Sequence, residues 1–157
     1  MVAQIREILR LTAIIAVIPA VLWPSLTEGN ATTGWLEGPK ADIRLISATT
    51  AVGGRESIPL GIEVRLDDGW KTYWRSPGDA GIPPHVAWDK SANLASTAFY
   101  WPAPIRFKYY ELETFGYEKQ VVFPVTARLR NAGEALELRA QVDLLICDDV
   151  CIPHSYD

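Results

Sequence analysis

Residues that bind soft metals are scarce in this 157-residue chain, which has two cysteines, two histidines and one methionine. Soft-metal sites draw on these three residue types, so a metal could be held only by Cys147, Cys151 and His154, and a fourth ligand is missing. We therefore expect no metal and no cofactor. No serine or cysteine is arranged to make His85 part of a hydrolase, and we expect this histidine to be partly buried and structural.

An excess of basic residues is absent as well, since 15 Lys and Arg residues stand against 19 Asp and Glu residues and the net charge is −4. Binding to nucleic acid needs a positive surface, so we expect no nucleic-acid partner. The C-terminal end is the most acidic part, because Arg139 is the last basic residue and four aspartates follow it. Two of them, Asp148 and Asp149, lie between the cysteines, and neighbouring carboxylates predict thiol pKa values that are raised.

A helical period of apolar residues is absent after residue 31, and short alternating stretches take its place. Apolar residues at every second position, separated by turns such as Gly53-Gly54 and Asp67-Asp68-Gly69, predict β-strands. Trp70 and Trp74 are predicted to be core residues. Short strands at this spacing, with several prolines and tryptophans, indicate an all-β chain folded as an immunoglobulin-like β-sandwich.

The two clearest predicted strands lie near the C-terminal end. Alternate residues are apolar from Phe123 to Leu129 in one and from Leu136 to Ile146 in the other. A turn at residues 131–134 separates them, which predicts an antiparallel hairpin. The same alternation places Cys147 on the polar, outer face beside Leu145, so we expect an exposed thiol next to an apolar contact surface.

A long uncharged run extends from Leu11 to Thr27 and follows Arg6 and Arg10. A membrane span needs about 20 apolar residues, whereas this run is interrupted by two prolines. We therefore predict that residues 1–31 are a secretory signal peptide, with an N-terminal membrane anchor as the alternative, and that residues 32–157 form one domain. Export would place the cysteines in an oxidising compartment, where pairs are normally disulfide-bonded.

The spacing of the two cysteines requires a turn if they are to meet. Four residue steps of extended strand cover about 13 Å, but the Cα atoms of a disulfide are roughly 4.4–6.8 Å apart, so the chain has to reverse at Asp148-Asp149. Closing so short a loop removes little entropy from the unfolded chain, worth about 2 kcal/mol. As a structural disulfide the pair would therefore contribute little to the stability of the fold. A redox-active couple is the favoured interpretation, with a plain local disulfide and a metal site as alternatives.

Three stretches carry a family resemblance: WKTYWRSPGDAGIPP at residues 70–84, the strand from Gly116 to Val125, and CDDVCIP at residues 147–153. From Asp42 onward the chain resembles the N-terminal periplasmic domain of DsbD-type thiol:disulfide interchange proteins, and most of all their ScsB-like branch. The resemblance implies an immunoglobulin-like domain that takes electrons from a thioredoxin-like domain and passes them to periplasmic disulfide isomerases and reductases. By position, Cys151 matches the cysteine that forms the mixed disulfide and Cys147 the one that resolves it.

The resemblance also implies a mobile loop whose aromatic residues shield the cysteines. By register this loop matches residues 108–111, and Tyr109 and Tyr110 are the candidate shielding residues. Ordinary half-exposed loop tyrosines are the alternative. The resemblance further implies a periplasmic location, a membrane tether through the N-terminus or through a C-terminal membrane domain, and roles in cytochrome c biogenesis or copper tolerance.

Two departures from the family pattern affect these expectations. Three residues separate Cys147 from Cys151, fewer than in the better-known DsbD branch, so we expect partner choice to differ. The chain ends six residues after Cys151, so we expect a C-terminally incomplete domain that lacks its last strand or strands and leaves a sheet edge unpaired. The alternative to thiol-disulfide exchange is an exported immunoglobulin-like binding module whose disulfide is structural.

Overall fold

Eleven strands form in the residues that the computed structural model describes, 32–109 and 111–157. In chain order they are β1 (Leu36–Glu37), β2 (Ala41–Ser47), β3 (Ser57–Leu66), β4 (Lys71–Gly78), β5 (His85–Ala87), β6 (Leu94–Phe99), β7 (Ile105–Tyr109), β8 (Leu112–Glu118), β9 (Gln120–Leu129), β10 (Gln141–Cys147) and β11 (Cys151–Tyr156). One sheet has the order β1-β2-β3-β9-β6, and the other has the order β11-β10-β4-β8-β7, with β5 paired to β10. The two antiparallel sheets confirm the predicted all-β, immunoglobulin-like sandwich.

The predicted leader, residues 1–31, lies outside the described residues, so its assignment stays a prediction. In the part of the chain that the structure describes, no helix is long and apolar enough to cross a membrane.

The core lies between the sheets and is built from the alternating apolar residues of the central strands. Its most deeply buried members include Ile62, Val64, Phe123, Ala127 and Ile146. Fully burying an aliphatic or aromatic side chain contributes roughly 1.5–3 kcal/mol, so these facing rows hold the two sheets together. Trp70 and Trp74, predicted as core residues, are partly buried and pack against this core.

The predicted hairpin between the two C-terminal strands is wrong. β9 pairs with β3 and β6 in one sheet, whereas β10 pairs with β11, β4 and β5 in the other. In both strands every second residue is apolar and buried. Because the strands belong to different sheets, these residues face each other across the core and the strands do not lie side by side. The second strand begins at Gln141 and not at Leu136, and in the connection before it an isolated bridge joins Glu137 to Ala92.

The prediction that His85 is partly buried is also wrong. Its side chain is 72% exposed at the start of β5, where its Nδ1 atom lies 3.5 Å from the Asp143 carboxylate. The Ser155 hydroxyl donates a hydrogen bond to the same carboxylate and is the main cause of a lowered pKa at Asp143. Because β5 is a short strand at the margin of its sheet, its first residue has little packed against it.

The motif at residues 70–84 forms β4 and then a loop that folds back over the outer face of the second sheet. Gly81 has a φ of 113°, and a Cβ atom there would collide with the ring of Tyr73, which is 4% exposed. The Asp79 carboxylate accepts a hydrogen bond from the Glu113 amide at 2.8 Å, and the Asp79 amide donates to the Glu113 carbonyl at 2.9 Å. The loop is therefore tied to both β4 and β8.

Two buried tyrosines predict a loss of stability at alkaline pH. Tyr117 donates a hydrogen bond to the Pro102 carbonyl at 2.9 Å, and Tyr156 donates to the Ala41 carbonyl at 2.7 Å. Burial raises the pKa of each hydroxyl to about 12 from an ordinary value near 10. The folded state holds these protons more tightly than the unfolded chain, so this stabilisation is complete below about pH 10 and is lost as the pH rises to about 12. We expect a loss of roughly 2–3 kcal/mol for each tyrosine.

Urea unfolding across that pH range measures the effect. The Tyr117→Phe and Tyr156→Phe variants each lack one titrating hydroxyl, so their stability should decline less than that of the wild type. Tyr100 is 52% exposed, and the Tyr100→Phe variant should decline as steeply as the wild type. Identical declines in all these proteins would contradict the assignment.

Candidate functional site

The two cysteines lie opposite each other where β10 turns into β11. They are register partners across this hairpin and form a disulfide, with their Cα atoms 4.1 Å apart. Asp148, Asp149 and Val150 make the loop between them, in which the Asp148 amide donates a hydrogen bond to the Val150 carbonyl at 3.0 Å. The predicted reversal at Asp148-Asp149 is confirmed.

The two cysteines differ in exposure. Cys151 is exposed on the edge strand β11, whereas Cys147 is 1% exposed, so the prediction of an exposed thiol at Cys147 is wrong. Alternation places its side chain on the outer face of the sheet, but this face is covered near the site. Lys71 of β4 stands opposite Cys147, and Tyr73, two residues further along the same face, lies beneath Gly81. Of the two cysteines, Cys151 is therefore the one that is open to solvent.

Lys71 is a site residue that sequence reasoning missed. It is the register partner of Cys147 on one side and of Glu118 on the other. Residues directly opposite on neighbouring strands share a face, with Cβ atoms about 4.5–5.5 Å apart, so the Lys71 side chain leaves β4 beside the buried cysteine. Its ammonium group lies 5.6 Å from the centroid of the Phe107 ring, a cation–π contact. Lys71 belongs to the WKTYW motif at residues 70–74, which was the one sign of it in the sequence. A motif does not show which residue of another strand lies opposite it, so the pairing with Cys147 was not foreseen.

Exposed carboxylates lie in and next to the loop between the cysteines. Asp148 and Asp149 are exposed in the loop, and the Asp148 Oδ2 atom lies 3.6 Å from the position that a Cβ atom on Gly69 would take. The turn at Asp67-Asp68-Gly69 therefore touches the cysteine loop and adds its own carboxylates. The loop between the cysteines and the turn in contact with it thus present exposed carboxylates at the end of the sheet that carries the disulfide.

A metal site that joins His154 to the two cysteines does not fit the geometry. His154 is the register partner of the buried Leu144, and its ring packs edge-on against Tyr156 at a centroid distance of 4.5 Å. By strand alternation it faces the core side of β11, opposite to Cys151. Within residues 32–109 and 111–157, no group of three or more His, Cys, Asp or Glu side chains is placed to hold a metal ion.

The candidate shielding residues belong to the β7–β8 hairpin. Tyr109 ends β7, where the structure describes its backbone alone, and Tyr110 lies outside the described residues. By register β7 meets β8 toward its Leu112 end, whereas Cys147 is level with the Glu118 end. The link between the two is the contact of the Phe107 ring with Lys71, which stands opposite Cys147. The shielding role of the two tyrosines stays a prediction.

Comparison with known proteins agrees with the resemblance seen in the sequence motifs. The family model for "Thiol:disulfide interchange protein DsbD, N-terminal" matches residues 44–157. The crystal structure of the N-terminal periplasmic domain of ScsB from Proteus mirabilis is 35% identical in sequence and superposes with a TM-score of 0.66. The match covers 81% of this chain and 49% of that one, so the chain spans about half the length of the ScsB domain. A search of curated proteins finds no match. This chain belongs to the family of DsbD N-terminal thiol:disulfide interchange domains.

Proposed function

We propose that this domain carries out thiol-disulfide exchange and relays reducing equivalents from a thioredoxin-like or membrane-bound donor to periplasmic oxidoreductases. The observation that carries the proposal is the unequal exposure of the cysteines, with Cys151 exposed and Cys147 1% exposed. Exchange needs one sulfur that a partner can attack and a second that leaves and later returns. Family membership supports the same reaction.

The first half of the cycle reduces the domain by two electrons. A donor thiolate attacks Cys151 Sγ, the Cys147–Cys151 bond breaks, and Cys147 Sγ leaves as a thiolate. A second donor thiolate then attacks the donor sulfur in the mixed disulfide, which releases the donor as a disulfide and the domain as a dithiol.

The second half returns these electrons to an acceptor. The Cys151 thiolate attacks the acceptor disulfide and expels one acceptor sulfur as a thiolate. The Cys147 thiolate then attacks Cys151 Sγ, re-forms the internal disulfide and releases the second acceptor sulfur, so that the acceptor leaves as a dithiol. The burial of Cys147 suits a residue that reacts within the domain and not with partners.

Shielding and location complete the proposal. The segment at residues 108–111, with Tyr109 and Tyr110 as the shielding residues, covers the disulfide between encounters and moves aside when a partner docks. The contact of Phe107 with Lys71 supports this, because it links β7 to the residue opposite Cys147. The relative from Proteus mirabilis is a periplasmic domain, which supports a periplasmic location here, with a membrane tether at either end of the protein.

A redox titration tests the function. The purified domain is equilibrated in glutathione buffers of graded potential, free thiols are trapped, and mass spectrometry gives the reduced fraction of Cys147 and Cys151. We expect a midpoint between about −270 and −120 mV, the range of known exchange proteins. A midpoint below about −300 mV is typical of structural disulfides and would favour the binding-module alternative.

A further inference from the structure

Two acidic turns meet at the end of the sheet that carries the disulfide. The cysteine loop carries Asp148 and Asp149, and the neighbouring turn carries Asp68 and Gly69. The turns are in contact, since the Asp148 Oδ2 atom lies 3.6 Å from the position of a Cβ atom on Gly69. Asp149 is two residues from Cys151, a Cα distance of at most about 7 Å. We call Asp68, Asp148 and Asp149 the aspartate rim.

The charges of the rim have no counterions within the described residues. All three carboxylates are exposed and none forms an ion pair there, whereas the adjacent Asp67 is paired with Lys40 at 3.3 Å. Lys71 stands opposite Cys147, and its ammonium group lies over the Phe107 ring. The carboxylates of the cysteine loop, next to the exposed sulfur in the chain, are therefore not neutralised by an ion pair in the described residues.

An apolar surface lies next to the rim. Val150, which precedes Cys151, is 62% exposed, and Pro153 is exposed on the same edge strand. An apolar centre bordered by polar or charged groups is the usual anatomy of a protein docking site. The surface around the reactive sulfur thus has this anatomy, with a border of negative charge.

We propose that the aspartate rim selects partners whose reactive thiol or disulfide is flanked by basic residues. The proposal rests on the exchange function proposed above. Opposite charges at a docking site raise the rate of encounter, and like charges reject the wrong partner. Salt weakens this selection, because the Debye length falls from about 30 Å at 0.01 M to about 3 Å at 1 M. The rim gives the exposed sulfur a specificity that the disulfide bond itself does not supply.

Three small disulfides of different charge test the proposal: the dication cystamine, the dianion 3,3′-dithiodipropionate and the neutral bis(2-hydroxyethyl) disulfide. The reduced domain is mixed with each, and the rate of thiol loss is measured by rapid trapping. The rate at which the domain reacts with each disulfide is divided by the rate at which uncharged dithiothreitol reacts with the same disulfide. This removes the differences in intrinsic reactivity among the three disulfides. At about 0.01 M salt we expect the normalised rate for the dication to exceed that for the dianion by on the order of 10-fold. At about 1 M salt the difference should vanish.

A matched pair of double variants separates local charge from net charge. Asp148→Asn with Asp149→Asn should lower the ratio of cation to anion rates to about 2-fold, because one rim carboxylate is left. The ratio also cancels any common change in the thiol pKa. Asp89→Asn with Asp157→Asn removes the same charge beyond the far ends of β5 and β11, and it should leave the ratio unchanged.

The outcomes distinguish this proposal from the one on which it rests. If the neutral disulfide oxidises the domain but charge has no effect on the normalised rates, the rim proposal is overturned and the exchange function stands. Equal losses of selectivity in the two double variants would also overturn it, since net charge would then be the cause. If none of the three disulfides reacts with the reduced cysteines, both proposals fail.

Discussion

Replacing Cys147 with serine is expected to leave the domain covalently attached to its partner through a mixed disulfide that is not resolved. The exposed Cys151 can still attack a partner disulfide, but no internal thiol remains to resolve the product. Well-oriented intramolecular attack has effective molarities of about 10⁵ M or more, so release of the partner should slow by at least about 1000-fold. With Ellman's reagent, the wild-type dithiol should release two equivalents of thionitrobenzoate, whereas Cys147→Ser should release one and keep the other as a mixed disulfide.

The reciprocal variant provides the comparison. In Cys151→Ser the remaining thiol belongs to Cys147, which is 1% exposed, so its reaction with the reagent should be on the order of 100-fold slower than that of Cys147→Ser. Ser155→Ala changes the same hairpin with both cysteines intact, and it should release two equivalents like the wild type. Equal rates for the two cysteine variants would show that the sulfurs are interchangeable, contrary to the roles proposed here.

Replacing Gly81 with alanine is expected to destabilise the domain by about 2–6 kcal/mol. The residue has a φ of 113°, which a side chain disfavours, and its Cβ atom would collide with the Tyr73 ring. Strain of this kind costs roughly 1–3 kcal/mol, and overpacking adds a similar amount. Urea unfolding measures the loss as a lower midpoint at an unchanged slope.

Gly54→Ala is the matched control for this prediction. Gly54 has no atom within 4 Å of an added Cβ and no positive φ, so its substitution should change stability by less than about 0.5 kcal/mol. If the Gly81→Ala protein were as stable as the Gly54→Ala protein, the close packing of Gly81 on the Tyr73 ring would not contribute to the stability of the domain.

Much of the fold was predictable because alternation and covalent geometry are local. Every second residue from Phe123 to Leu129 is buried in β9, as the pattern indicates, and the same holds for Leu144 and Ile146 in β10. The reversal at Asp148-Asp149 follows from the reach of the chain between two cysteines that bond. The motifs at residues 70–84 and 147–153 were specific enough to identify the family.

Strand partnership was not predictable in the same way. Two consecutive apolar strands with a turn between them fit a hairpin in one sheet as well as a crossing from one sheet to the other, and β9 and β10 take the second arrangement. The choice depends on β3, β4 and β11, which compete for the same backbone hydrogen bonds. The exposure of His85 likewise depends on where β5 sits in its sheet and not on its neighbours in sequence.

The amino-acid order alone therefore determined the fold class, the buried faces of the main strands, the turn between the cysteines and the family. Tertiary structure decided which sulfur a partner can reach. Alternation assigns Cys147 to a face, but its burial depends on what packs on that face, and its neighbour across the sheet is Lys71 of β4, which is distant in the chain. The exposure of a residue depends on all the residues that pack against it. Many of these are distant in the sequence and come into contact only when the sheets have assembled.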